Sequence, residues 1–149
     1  MIAMQWNPDE QVRTQLNLDH SERYLLSCRW DEEKPRITFV FAHPPFGDEH
    51  LVGSTLRTCV DWAKEWGYGT MEAVSLIPEL IVEPFYIVEP LEEQMETNDV
   101  HIIGSVQDAE RVVFAWGDMG SYLPKRVDKV KALVPEEKVF CLPGIGDVL

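Results

Sequence analysis

The sequence predicts an α/β domain, a three-layer α/β/α sandwich around a mainly parallel central sheet. Three observations carry that expectation. The run Ile37-Thr38-Phe39-Val40-Phe41-Ala42 is apolar at five of six positions, as strands covered on both faces are, and Arg111-Val112-Val113-Phe114-Ala115-Trp116 has the same character. Segments with helical spacing alternate with these runs. The first run then empties into a polar loop, His43-Pro44-Pro45-Phe46-Gly47-Asp48-Glu49-His50, at the carboxyl strand end where open α/β sheets bind ligands.

Element by element, residues 1–20 form a polar lead, irregular or briefly helical, and the α/β domain occupies 22–149 of a single 149-residue domain. Residues 24–30 mix apolar and polar positions, as an edge strand or hairpin arm does. Ser54 or Thr55 opens a helix in which Leu56, Cys59, Val60, Ala63 and Trp66 recur at helical spacing, and Gly67 follows it as the C′ residue. Residues 70–77 form a second strand that Pro78 ends, and 81–90 a proline-punctuated connection. A helix runs over 91–107 with Gly104 as its weak point, and 111–116 is the third strand. Leu123, Val127, Val130 and Leu133 mark a helix over 121–134 with Pro124 in its first turn. Residues 139–142 are a fourth strand. Trp62, Trp66, Phe85 and Tyr86 read as packing residues.

Composition bounds the function. Twenty-six acidic against 13 basic residues give a net charge of −13, which speaks against the basic face that duplex DNA requires. It also suits a protein that offers carboxylates to a basic partner. The residues Glu79, Glu83, Glu89, Glu92, Glu93 and Glu96 are either a solvated face or such a partner surface. No apolar run approaches the roughly 20 residues that span a bilayer, and the N-terminus lacks the pattern of a signal peptide. Three scattered cysteines, Cys28, Cys59 and Cys141, suggest thiols in a reducing cytoplasm rather than a zinc site. No metal and no cofactor is expected.

The candidate site gathers at the strand ends. His43 suits a base or a hydrogen-bonding imidazole, and Asp48 suits a water-orienting carboxylate; these two are the catalytic candidates. Phe46, a loop aromatic, suits stacking on a base. Thr55 and Arg57 stand in the first turn of a helix, where backbone N–H groups and a guanidinium meet anions. Pro44, Ser75, Asn98, Trp116, Gly117 and Asp118 complete the ligand-binding candidates. Each also has an ordinary structural role open to it, as a cap, a turn or a packed side chain.

The order of His43-Pro44-Pro45, Thr55-Leu56-Arg57-Thr58-Cys59, Trp66-Gly67-Tyr68-Gly69 and Ala115-Trp116-Gly117 resembles a family of unknown function, number 1643, over about residues 24–142. That family is distantly similar to the uracil-DNA glycosylase superfamily. The resemblance implies a uracil-DNA-glycosylase-like sandwich and a nucleobase- or nucleotide-binding domain acting on DNA bases. The family's Asn-Pro-Ser reads His43-Pro44-Pro45 here, and the asparagine that ends its second strand reads Ser75. Its Asn-His-Gly turn reads Asp118-Met119-Gly120, and its closing Pro-Arg-His-Pro is absent before Leu149. These departures leave catalysis open and keep a second reading beside the first: a degenerate acidic protein that engages a basic nucleic-acid-binding one. In either case a labelled duplex should bind only weakly and lose that binding as salt is raised, and uracil-containing oligonucleotides should stay intact.

Overall fold

The computed structural model describes residues 3–80 and 87–140. Its elements are β1 (Met4–Gln5), β2 (Gln11–Leu16), β3 (Arg23–Arg29), β4 (Arg36–Phe41), β5 (Leu51–Val52), α1 (Ser54–Glu65), β6 (Thr70–Ser75), α2 (Glu96–Asp108), β7 (Arg111–Ala115) and α3 (Pro124–Leu133). Five strands form one sheet in the order β2-β3-β6-β4-β7, while β1 and β5 make a separate antiparallel pair.

The sheet is mixed, which corrects the expected mainly parallel sandwich of uracil-DNA-glycosylase type. β4 pairs in parallel with β6 and β7, but β3 runs antiparallel to both β6 and β2. The physical reason lies in the connections. The chain passes from β2 to β3 through 17–22 and from β3 to β4 through 30–35, and connections this short reverse the direction of the chain. The polar lead is corrected as well. Residues 11–16 are an edge strand whose outward positions Gln11, Arg13 and Gln15 stay exposed, while Val12 packs on the core. An edge strand with one wet face needs few apolar residues, so its composition resembles a loop.

Backbone geometry explains the ends of α1. Tyr68 N–H donates to Ala63 O at 2.9 Å and Gly67 N–H to Lys64 O at 3.2 Å, the paired bonds of a Schellman ending. Gly67 sits at φ 92°, a conformation that a side chain would strain. At the other end the N-cap is Gly53 and no side chain caps the helix, so the expected Ser54 or Thr55 cap does not form. Pro124 does open α3, preceded by a 3-10 turn at Gly117–Tyr122. Val139 forms a parallel bridge to Val112. The connection over 81–86, with Phe85 and Tyr86, and the strand positions 141–142 lie outside the described residues.

Alternation along the strands produces two cores. Phe39, Met71 and Ile37 face α1 with Leu56, Cys59 and Val60, and Trp62 and Trp66 pack at the margin. Val40, Val74 and Val112 face the other way, against Ile102 and Val106 of α2 and Val130 of α3. Full burial of a side chain such as Phe39 stabilises by about 1.5–3 kcal/mol. Most polar groups in these cores are paired, with Asn98 Oδ1 an exception. Ser105 Oγ donates to Glu72 Oε1 at 2.8 Å and lies 2.7 Å from Thr38 Oγ1, which ties α2 to the two middle strands. Asn98 Nδ2 donates to Ser75 O at 2.9 Å. Arg126 binds Asp99 through two nitrogens, at 2.6 and 3.2 Å, and donates to Leu76 O at 2.8 Å.

The N-terminal segment is held by Glu10, whose side chain is fully buried. Its carboxylate takes both terminal nitrogens of Arg57, at 2.8 and 2.6 Å, and Lys64 Nζ at 2.7 Å. Burial alone would raise its pKa, but the hydrogen bonds from Arg57, Lys64 and the Asn7 backbone outweigh burial and hold it at about 2. A carboxylate depressed in the folded state contributes stability above its unfolded value of 4.5, and that contribution disappears as pH falls towards the folded value. Glu10→Gln should therefore cost about 2–4 kcal/mol near neutral pH, and denaturant melts should show wild type and variant converging between pH 4.5 and 2.

Candidate functional site

The two parallel pairings of β4 align its carboxyl end with those of β6 and β7. Phe41 stands opposite Ser75 on one side and Ala115 on the other. The chain therefore leaves β4 and β7 at one edge, and the segments that follow enclose an open cleft of about 400 Å³. Phe41 and Ala115 lie at its base. His43, Pro45 and Phe46 come from the loop after β4, Thr55 from the first turn of α1, and Trp116, Gly117, Asp118 and Met119 from the 3-10 turn after β7.

Among the described residues three side chains carry a buried polar atom without a hydrogen-bond partner: Glu89, Asn98 and, at the cleft, His43. Its Nδ1 is buried and makes no hydrogen bond among the described residues. Burial lowers its pKa below the ordinary 6.5 against an opposing contribution from the Pro44 backbone, and the positive charge of Arg23 adds to the lowering. The imidazole is therefore neutral at pH 7, with one ring nitrogen able to donate and the other to accept. An unpartnered buried nitrogen costs about 1–3 kcal/mol. Phe46 presents its ring to solvent at 42% exposure. Trp116 is buried, stacked on Phe114 with centroids 4.5 Å apart. Gly120 passes so close to the Trp116 indole that a Cβ there would overlap the ring.

The other candidates have different surroundings. Asp48 does not line the cleft: its Oδ1 accepts from the His50 and Leu51 N–H groups, both at 2.7 Å, and these bonds depress its pKa. That carboxylate closes a turn, and Trp6 Nε1 donates to the Asp48 carbonyl at 2.7 Å. Arg57 is engaged by Glu10 and Asp61 on the α1 flank. Pro44 is buried behind the loop. Ser75 and Asn98 meet below the sheet edge, where Asn98 secures the end of β6. Among the described residues no group of three or more His, Cys, Asp or Glu side chains is placed to hold a metal ion. Cys28 and Cys59 are buried thiols, pushed up to about 12 by burial.

Sequence reasoning missed Arg23. It opens β3, is 3% exposed, and donates from one terminal nitrogen to Pro45 O at 2.9 Å and Gly47 O at 2.8 Å. Burial lowers its pKa to about 10, with the nearby Asp48 charge opposing. Two backbone carbonyls on one buried guanidinium fix the loop that carries His43 and Phe46. The signal was a cation directly before the apolar run Tyr24-Leu25-Leu26, a position where a charge needs a reason. Met119 was also overlooked; as a flexible apolar side chain at a cleft wall it leaves no pattern in sequence.

The profile of a family described as "Protein of unknown function (DUF1643)" matches residues 23–145. No curated protein and no solved structure matches the chain. The geometry of the loop predicts two linked results for Arg23→Met: a stability loss of about 1–3 kcal/mol, and an upward move of the His43 titration followed by ring-proton NMR. In the wild type that titration should lie below 6.5.

Proposed function

The chain belongs to the DUF1643 family, and from the strand-end cleft we propose that it binds a nucleobase or nucleotide there. The observation that carries the reading is the pairing of an unpartnered, buried His43 Nδ1 with a solvent-facing Phe46 ring in one concavity. A planar heterocycle satisfies both at once. It stacks on Phe46 and exchanges an edge hydrogen bond with the neutral imidazole. The volume lies within the roughly 300–1,000 Å³ of ordinary small-molecule sites. Asp118 is exposed at the rim and able to accept from an exocyclic amine. Thr55 stands in the first turn of α1, which carries neither an acidic side chain nor a side-chain cap, a setting that favours a phosphate over a bare base.

Bond cleavage is not part of this proposal. Asp48, the second catalytic candidate, is committed to its turn, and the mixed sheet removes the fold-level ground for base excision. The net charge of −13 confines any nucleic-acid contact to a nucleotide or a short single-stranded segment. No helix among the described residues is long and apolar enough to cross a membrane. The reading places the protein in a reducing cytoplasm, where Cys28 and Cys59 stay as thiols.

Calorimetric titration with the four common nucleosides and their monophosphates tests the proposal. At least one should bind, and Phe46→Ala should weaken it by about tenfold, as loss of one base–aromatic stack does. His43→Ala should weaken it too, and wild-type affinity should fall as acid protonates the imidazole. Absence of heat with every member of the panel at millimolar concentration would overturn the proposal.

A further inference from the structure

Away from the cleft, α2 and α3 leave a groove of about 380 Å³ between them. Its floor is apolar: Val100 is 62% and Ile103 37% exposed, with Leu133 of α3 opposite. Val100 and Ile103 are three residues apart on one helical face, where an amphipathic helix would normally present polar side chains to water. Leu91, also exposed, extends the apolar strip at the neighbouring hollow beside Glu92 and Lys129. Exposed apolar surface of this kind, rimmed by charge, marks an interaction site.

The rim selects the partner. Glu92, Glu93, Glu96 and Asp99 border the groove, with Lys129 as the basic side chain among its lining residues. Lys129 is engaged with Glu92 at 2.5 Å and Asp99 with the buried Arg126. Glu93 and Glu96 have no ion-pair partner among the described residues. The groove thus offers an apolar floor with uncompensated negative charge along one side. We propose that it docks a cationic amphipathic helix of another protein, whose apolar face lies on Val100, Ile103 and Leu133 and whose Lys or Arg side chains meet Glu93 and Glu96. Helix-in-groove recognition uses this combination of anchors and flanking charge. A second copy of this chain is a poor occupant. Each copy carries −13, and a two-fold pairing would set the same acidic rims near one another.

A fluorescently labelled helical peptide of Leu and Lys, about five turns long, is a suitable probe, with its Leu/Glu counterpart as control. Anisotropy should show saturable binding of the cationic peptide and none of the anionic one. The double variant V100S/I103S should weaken binding by roughly tenfold. E93Q/E96Q should weaken it several-fold and flatten its salt dependence. Both pairs lie on the surface, and unchanged thermal melts confirm that the variants fold. Affinity within twofold of wild type for either double variant, equal binding of the Leu/Glu peptide, or a concentration-dependent dimer abolished by V100S/I103S would each overturn the proposal. The Phe46→Ala variant, weakened for nucleotide, should keep its peptide affinity, so the two sites are tested separately.

Discussion

Parallel pairing of β4 with both neighbours is the constraint from which the rest follows. Because Phe41 aligns with Ser75 and with Ala115, three chain exits fall on one edge of the sheet. The backbone pairing continues past the strands, with Leu76 N–H donating to Phe41 O at 2.8 Å and Ile77 N–H to Ala42 O at 3.1 Å. A slip of one residue in β4 would turn Phe39 and Phe41 away from α1 and carry His43 off the cleft wall. The antiparallel β3 adds the remaining part: its first residue, Arg23, arrives at the same edge and holds the Pro45 and Gly47 carbonyls. The cleft is thus built by long-range pairing, and the loop within it is fixed by one buried cation.

The charge balance has an internal side. Although the surface is strongly acidic, several carboxylates work inside the fold. Glu10 gathers Arg57 and Lys64, Glu72 bonds Ser105 and Arg36, and Asp99 bonds Arg126. Four of the chain's 13 cations are therefore committed to these three carboxylates, and the acidic residues outside the clusters set the negative field of the remaining surface. That field disfavours duplex DNA and favours a cationic partner at the α2–α3 groove, while the neutral imidazole of His43 and the aromatic wall suit an uncharged heterocyclic ring in the cleft.

Much of the scaffold was legible in sequence because burial leaves periodic traces. The apolar runs at 37–42 and 111–116, the helical spacing of Leu56, Cys59, Val60 and Ala63, and Gly67 at φ 92° all follow local rules. Strand direction does not. Whether β3 runs with or against β6 depends on the short connection over 30–35 that leads from it into β4, and the edge strand β2 is too polar to announce itself. The cleft was legible as a place: His43, Phe46, Thr55, Trp116, Gly117 and Asp118 do line one concavity. Individual roles were less so. Arg57 stands at the expected helix start, yet Glu10, 47 residues away in sequence, captures it. Asp48 is taken by two local N–H groups. Sequence offers the donors and acceptors, and tertiary contacts decide which of them are already used.

The central claim is that a planar heterocycle enters between the loop after β4 and the turn after β7. Amide chemical-shift mapping during titration with a nucleoside monophosphate tests it most directly. The account predicts saturable shifts concentrated at residues 42–47, 54–57 and 115–119, with the His43 ring among the largest. Saturable shifts elsewhere, with these segments unmoved, would contradict it.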